Sequence, residues 1–190
     1  MISETKLDES FPAGEFYIDG FSTPFRHDRD KNGGGIMLYI REDIPAKLVS
    51  SANLPVESFN VEIDFRKQKW LINCSYNPKK SLLKQHLEAL RKDIDIYSLK
   101  YDHFIFIGDF NAGMENSSLM DFCNLYGLTS LINTPTCYKN PTNPSCIDLI
   151  LTNHAECFQK SSIVETGLSD FLKMVVTVMK TTYRKLEPIR

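Results

Sequence analysis

Hydrophobic residues recur along the chain with two different periods. Ile36-Met37-Leu38-Tyr39-Ile40 follows Gly33-Gly34-Gly35 and is closed by Arg41-Glu42-Asp43 and Pro45, the pattern of a short buried strand. Phe59, Val61, Ile63 and Phe65 then alternate with polar residues, and Trp70 to Tyr76 supplies another strand signal; together these predict antiparallel sheet. From Ser81 the period lengthens. Leu83, Leu87, Leu90, Ile94 and Tyr97 fall at helical intervals with charged residues between them, which predicts an amphipathic helix of about four turns. His103-Phe104-Ile105-Phe106-Ile107 is nearly continuous in apolar character, the mark of a strand covered on both faces. Strand and helix signals alternate without internal repeat or low-complexity tract, which predicts an α/β or α+β domain.

Polar residues interrupt this pattern at three informative places. The run 103–107 ends in Gly108-Asp109-Phe110-Asn111, placing a carboxylate and an amide just past a buried strand, where a rigid element aims them and a loop exposes them. The same residue types also make ordinary turns, so the tetrapeptide alone leaves both readings open. Asp148 lies inside Ser145-Cys146-Ile147-Asp148-Leu149-Ile150-Leu151, and a carboxylate in such a strand is costly unless it is paired. Gly167-Leu168-Ser169-Asp170 precedes the apolar segment 174–178 and could by itself be a plain loop.

Composition narrows the function classes. The chain's 190 residues, 42% hydrophobic, suit one domain with a real core. The apolar runs fall well short of the roughly 20 residues that cross a bilayer, and the first residues lack a signal-like apolar core. No membrane association is expected, and an intracellular location, nuclear or cytoplasmic, is. The five cysteines are odd in number and irregular in spacing, which argues against a disulfide framework. Cys137, Cys146, His154 and Cys157 stand at intervals that match no common zinc spacing. The sequon Asn116-Ser117-Ser118 carries no meaning in a chain that is not exported. A net charge of -2 gives no global basic field, so any nucleic-acid contact must come from a local patch.

Ser3-Glu4-Thr5, Gly33-Gly34-Gly35-Ile36, Tyr76-Asn77-Pro78, Gly108-Asp109-Phe110-Asn111, Ile147-Asp148-Leu149-Ile150 and Gly167-Leu168-Ser169-Asp170 occur in that order over nearly the whole chain. Each is weak alone, but in series they resemble the endonuclease domains of non-LTR (LINE-type, jockey-like) retrotransposons, relatives of apurinic/apyrimidinic endonucleases and deoxyribonuclease I. The resemblance implies an α/β (α+β) four-layer sandwich of two mixed β-sheets flanked by helices. It implies a Mg²⁺-dependent (Mn²⁺ possible) enzyme that cleaves DNA phosphodiesters, joined in its parent polyprotein to a reverse transcriptase domain. Glu4 then matches the metal-binding glutamate, and Asp170 the second carboxylate near the metal. Asp109 and Asn111 match the residues that activate water and hold the scissile phosphate. Tyr76 matches a phosphate-donating phenol, Asp148 the carboxylate that orients a catalytic histidine, and Thr136 a DNA-contacting threonine. Ser169 is expected to contact substrate beside Asp170. Glu4, Asp109, Asn111, Asp148 and Asp170 should converge at one end of the sandwich.

Two departures accompany the resemblance. The family's histidine follows the last aspartate directly or one residue later, whereas this chain has Phe171 and Leu172 there, and His27, His86, His103 and His154 lie in no matching motif. Losing such a group costs about 10²–10⁴-fold in rate, so near-inactivity is expected. The family also has a strand, a helix and most of a second strand before the glutamate. Residues 1–180 are therefore expected to form an N-terminally truncated domain lacking its first strand and helix, with a linker starting at 181–190. The alternatives are a non-catalytic nucleic-acid-binding remnant, with Arg26, Arg29, Lys31, Lys79, Lys80 and Lys84 as contacts or simply a solvated face, and a phosphatase or phosphodiesterase of the same fold.

Overall fold

The computed structural model describes residues 1–51, 56–65, 67–165, 167 and 174–180. Its strands are β1 (Ile2–Ser3), β2 (Phe25–His27), β3 (Ile36–Leu38), β4 (Ala46–Ser51), β5 (Glu57–Phe65), β6 (Gln68–Tyr76), β7 (His103–Asp109), β8 (Thr129–Ser130), β9 (Asp148–Thr152), β10 (Phe158–Val164) and β11 (Met174–Met179). Its α-helices are α1 (Leu83–Tyr97) and α2 (Ser117–Tyr126).

A large mixed sheet runs in the order β4-β5-β6-β7-β9-β8. Its pairs are antiparallel except β6 with β7, because α1 carries the chain back from the end of β6 to the start of β7. Alternation along β7 then does what its continuous apolar character predicts. Phe104 and Phe106 join Leu87, Leu90 and Leu119 under the helices, while Ile105 and Ile107 face a second layer. That layer consists of an antiparallel sheet, β1-β3-β2, and an antiparallel hairpin, β10-β11. The α/β class and its large mixed sheet are as expected. Between β1 and β2 the chain forms a 3-10 turn at Ala13–Phe16, with no buried side chain.

The segments 59–65 and 70–76 pair antiparallel as their alternation predicts, as β5 and β6, while β3 belongs to the smaller sheet. Ile36 and Leu38 stack face to face on Phe59 and Val61 rather than pairing edge to edge with them. Among the described residues no helix is long and apolar enough to cross a membrane. Asn116 of the sequon caps α2, its side chain accepting from the Ser118 and Leu119 N–H groups.

Candidate active site

Register assembles a polar row across the large sheet. Glu57 on β5 lies opposite Tyr76 on β6, Tyr76 opposite Asp109 on β7, and Asp109 opposite Asp148 on β9. Side chains on a strand repeat every second residue, so these four share the face of Phe59, Cys74, Ile107 and Ile150. That face packs on the second layer, and the row sits at its end, where β6 and β7 both finish.

Glu4 reaches the row from the second layer. It follows β1 with a left-handed backbone, φ 55°, and its Oε1 accepts a hydrogen bond from the Tyr76 hydroxyl at 2.5 Å. The glycine run makes this approach possible. Gly34 and Gly35 both have positive φ, their carbonyls accept from the Lys6 and Thr5 N–H groups, and a Cβ on Gly35 would lie 2.3 Å from Thr5 Oγ1. The Gly35 N–H donates to Glu57 Oε2 at 2.6 Å, and Arg29 Nη1 pairs with Glu57 Oε1 at 2.5 Å. The fully buried Glu57 thus ties the loop carrying the glycines to the row.

The Asp109 loop is equally determined. Asp109 Oδ1 accepts the Asn111 N–H at 2.8 Å, and Asn111, at φ 48°, donates its Nδ2 to the Asn77 carbonyl at 2.8 Å. Asn77 returns two bonds, N–H to the Asp109 carbonyl and Nδ2 to the Phe110 carbonyl. Thr136 is fully buried behind this loop, where its hydroxyl accepts from the Ile147 and Asp148 N–H groups at 3.1 Å. In this structure Thr136 offers a ligand no surface, and its contact is with the backbone that carries Asp148.

The carboxylates are electrostatically strained. Burial, then the neighbouring Asp148 charge, pushes the Asp109 carboxyl up to about 7, with Glu4 adding in the same direction. Burial raises Asp148 as well, against the Thr136 hydroxyl and Lys139, which act to lower it. Asp148 Oδ2 is buried and, among the described residues, has no hydrogen-bond partner. Burial and the bond to Glu4 raise the Tyr76 phenol, which stays a donor at all ordinary pH. A set of carboxylate oxygens with an unpaired buried acceptor is the donor set of a hard divalent cation such as Mg²⁺ or Mn²⁺.

The structure therefore brings Glu4, Tyr76, Asp109, Asn111 and Asp148 together, while Ser169 and Asp170 lie outside the described residues. The Arg29–Glu57 pair, Asn77 and Lys139 were not foreseen as parts of the site. Glu57 had a readable signal, because it extends the apolar face of 59–65 with a charge. The basic residues divide: Arg26 pairs with Asp28, Arg29 with Glu57 and Lys31 with Asp8. Lys80 and Lys139 instead flank Asn111 in a cavity of about 310 Å³. A second cavity, about 420 Å³, lies between β1 and β11 and is floored by Asp109 and Asp148.

Carboxylates, an amide and a phenol gathered at one end of a two-sheet sandwich are groups of the kind that hydrolysis of phosphate esters requires. The sequence profile of the endonuclease/exonuclease/phosphatase family matches residues 1–170, and the chain belongs to that family. Its members are hydrolytic nucleases or phosphatases, and its nucleases generally use divalent metals. The fold superposes on the endonuclease domain of TRAS1, a telomere-specific non-LTR retrotransposon, with a TM-score of 0.69 and 16% identity over 87% of this chain and 83% of that one. An AP endonuclease from Archaeoglobus fulgidus gives 0.66 and 13% identity over 94% and 87%. D. rerio TDP2 complexed with single-strand DNA product gives 0.59 and 14% over 83% and 76%. No curated protein sequence matches the chain.

Proposed function

We propose that this chain is a divalent-metal-dependent DNA endonuclease domain of a retrotransposon polyprotein, impaired in its chemistry and acting inside the cell alongside a reverse transcriptase domain. The observation that carries the reading is the row Tyr76, Asp109 and Asp148, set side by side by strand register and met by Glu4 from the second layer. Glu4, with Asp170 by resemblance, would hold Mg²⁺ or Mn²⁺, which when bound supplies positive charge to the phosphoryl oxygens. Asp109, raised to about 7, accepts a proton from an attacking water near neutral pH. The Tyr76 hydroxyl and the Asn111 amide donate to phosphate oxygens, and Lys80 and Lys139 attract the flanking backbone. Impairment is read from the sequence: Phe171 and Leu172 stand where the family's histidine would be, and among the described residues, which do not include 168–173, the Asp148 oxygen that would orient it has no hydrogen-bond partner.

Nicking of supercoiled plasmid tests this. We expect slow nicking in Mg²⁺ or Mn²⁺, abolished by EDTA and by Asp109→Ala. Tight DNA binding with no metal-dependent nicking would favour the binding remnant. Release of inorganic phosphate from small phosphomonoesters, with DNA left intact, would favour the phosphatase branch that the family also includes.

A further inference from the structure

At the other end of β7 and β9 stands a second cluster of ligating side chains that the reading above does not use. β9 is followed by His154-Ala155-Glu156-Cys157, with a 3-10 turn at Ala155–Cys157 leading directly into β10. That turn folds three different donors together: one ligand atom each from His154, Glu156 and Cys157, all within 4.8 Å of one another. Of the residues weighed for zinc by spacing, only His154 and Cys157 meet; the third donor is Glu156, and Cys137 and Cys146 are not in the group. The scaffold is firm. Asn153 accepts the Phe104 N–H and donates to the Asp102 carbonyl, both at 2.8 Å, while Thr152 Oγ1 donates to the Phe104 carbonyl at 2.7 Å and accepts the His154 N–H at 3.1 Å. The Cys157 N–H donates to the His154 carbonyl at 3.0 Å. His103 leans on His154 with ring centroids 4.2 Å apart, and its buried Nδ1 has no hydrogen-bond partner among the described residues. Trp70 stacks on His103 at 4.5 Å.

We propose that His154, Glu156 and Cys157 bind a borderline transition-metal cation of the Zn²⁺ class, with water or the neighbouring His103 in the fourth position. An imidazole, a carboxylate and a thiolate select Zn²⁺, Co²⁺ or Ni²⁺ and reject Mg²⁺, which demands oxygen ligands. Three protein ligands with a fourth position open is an established tetrahedral coordination for zinc. The thiolate forms by release of the Cys157 proton to solvent as the cation binds. Six residues separate His103 from Asp109 along β7, so this site lies about 20 Å from the carboxylate row. Its position gives it a mechanical role. Cys157 immediately precedes β10 and its carbonyl accepts the Lys180 N–H, so a cation here clamps the hairpin β10-β11 to the end of the large sheet.

The full chain, stripped with EDTA and dialysed, is titrated with Co²⁺ and then Zn²⁺. We expect a sulfur-to-cobalt charge-transfer band saturating at one equivalent, with quenching of Trp70, the protein's single tryptophan, in parallel, and both reversed by Zn²⁺. Cys157→Ser should abolish the band. His154→Asn and the exposed, isosteric Glu156→Gln should each weaken binding by at least about tenfold, since loss of a ligand costs no less than loss of a second-shell partner. Asp109→Asn should leave band and affinity unchanged, which separates this site from the carboxylate row. Failure of the band to appear at saturating Co²⁺, its survival in Cys157→Ser, or unaltered affinity in a folded Glu156→Gln protein overturns the proposal.

Discussion

Asp109→Asn should stabilise the metal-free chain while destroying its chemistry. The substitution removes a charge but keeps the Oδ1 that accepts the Asn111 N–H. Burial and the Asp148 carboxylate push Asp109 from 3.8 up to about 7, so the folded state holds this proton more tightly than the unfolded chain does. Below about pH 4 both states are protonated and the shift has no effect on stability. Between about pH 4 and about pH 7 the unfolded chain ionises first, and the folded state loses ground steadily. Above about pH 7 the whole displacement applies, and at about 1.4 kcal/mol per pH unit it amounts to about 4 kcal/mol. Water entering the cavity of about 420 Å³ beside Asp109 softens that figure, and a gain of about 2–4 kcal/mol is expected at pH 8.

Urea unfolding followed by far-ultraviolet circular dichroism, in EDTA at pH 4 and pH 8, reads this directly. The variant should be more stable at pH 8, with the gain vanishing towards pH 4. Adding Mg²⁺ at pH 8 should narrow the gap, because a cation among the carboxylates removes the repulsion that the substitution relieves. A gain independent of pH, or a loss at pH 8, would show that the Asp109 carboxyl is not strained by burial and Asp148, and would remove its candidacy as a base near neutral pH.

Three further outcomes are expected. His86, on the buried face of α1 against the Phe110 ring and with neither nitrogen bonded among the described residues, is lowered to about 4 by burial. Its destabilising pull is absent above its unfolded value near 6.5 and grows as pH falls towards 4. His86→Leu should add about 1–3 kcal/mol at pH 7, more in acid, read from urea midpoints. Gly108→Ala would place a Cβ 1.9 Å from the Ser75 carbonyl across the parallel pair, so β6 and β7 cannot keep their register; loss of cooperative unfolding is expected, and a native melting curve would contradict the packing. Leu172→His should raise plasmid nicking by about 10²-fold by returning an imidazole to Asp148, and more than Phe171→His; a rescue that persists after Asp109→Ala would sink the catalytic assignment.

Where packing and pattern coincide, the sequence was legible. Leu83, Leu87, Leu90 and Ile94 are the buried face of α1, and Phe104 to Ile107 is covered on both sides as its continuous apolar character demands. Asp148 was legible as costly, and among the described residues its Oδ2 has no hydrogen-bond partner. What stayed hidden depends on geometry that no local pattern encodes. Strand β10, the two-residue strands β1 and β8, and helix α2 have weak or short periodic signals, whereas β11 is signalled by the apolar run 174–178 and pairs with β10. Thr136 looked like a surface contact from its neighbours in sequence, and only the antiparallel bridge Cys137–Ser145 explains why it turns inward to the Asp148 backbone. The Arg29–Glu57 pair joins the loop after β2 to β5 of the large sheet, a contact that layer stacking creates.

β7 and β9 run antiparallel, and that fact alone places a polar cluster at each end of the pair. The finish of β7 meets the start of β9, giving Asp109 beside Asp148; the start of β7 meets the chain leaving β9, giving His103 beside His154. The two clusters differ in chemistry, oxygen alone at one end and nitrogen, oxygen and sulfur at the other, so the two proposed sites would sort cations rather than compete for them. A chelator would empty both at once. Inhibition of nicking by EDTA therefore assigns the requirement to neither end, but recovery does. If Mg²⁺ alone restores nicking to a stripped protein, the chemistry belongs to the Asp109 end, since Mg²⁺ has no use for Cys157. If recovery needs Zn²⁺ in addition, and Cys157→Ser abolishes that Zn²⁺-dependent recovery, the hairpin clamp is a condition for the site to work. Zn²⁺ restoring nicking without Mg²⁺ would contradict the sorting.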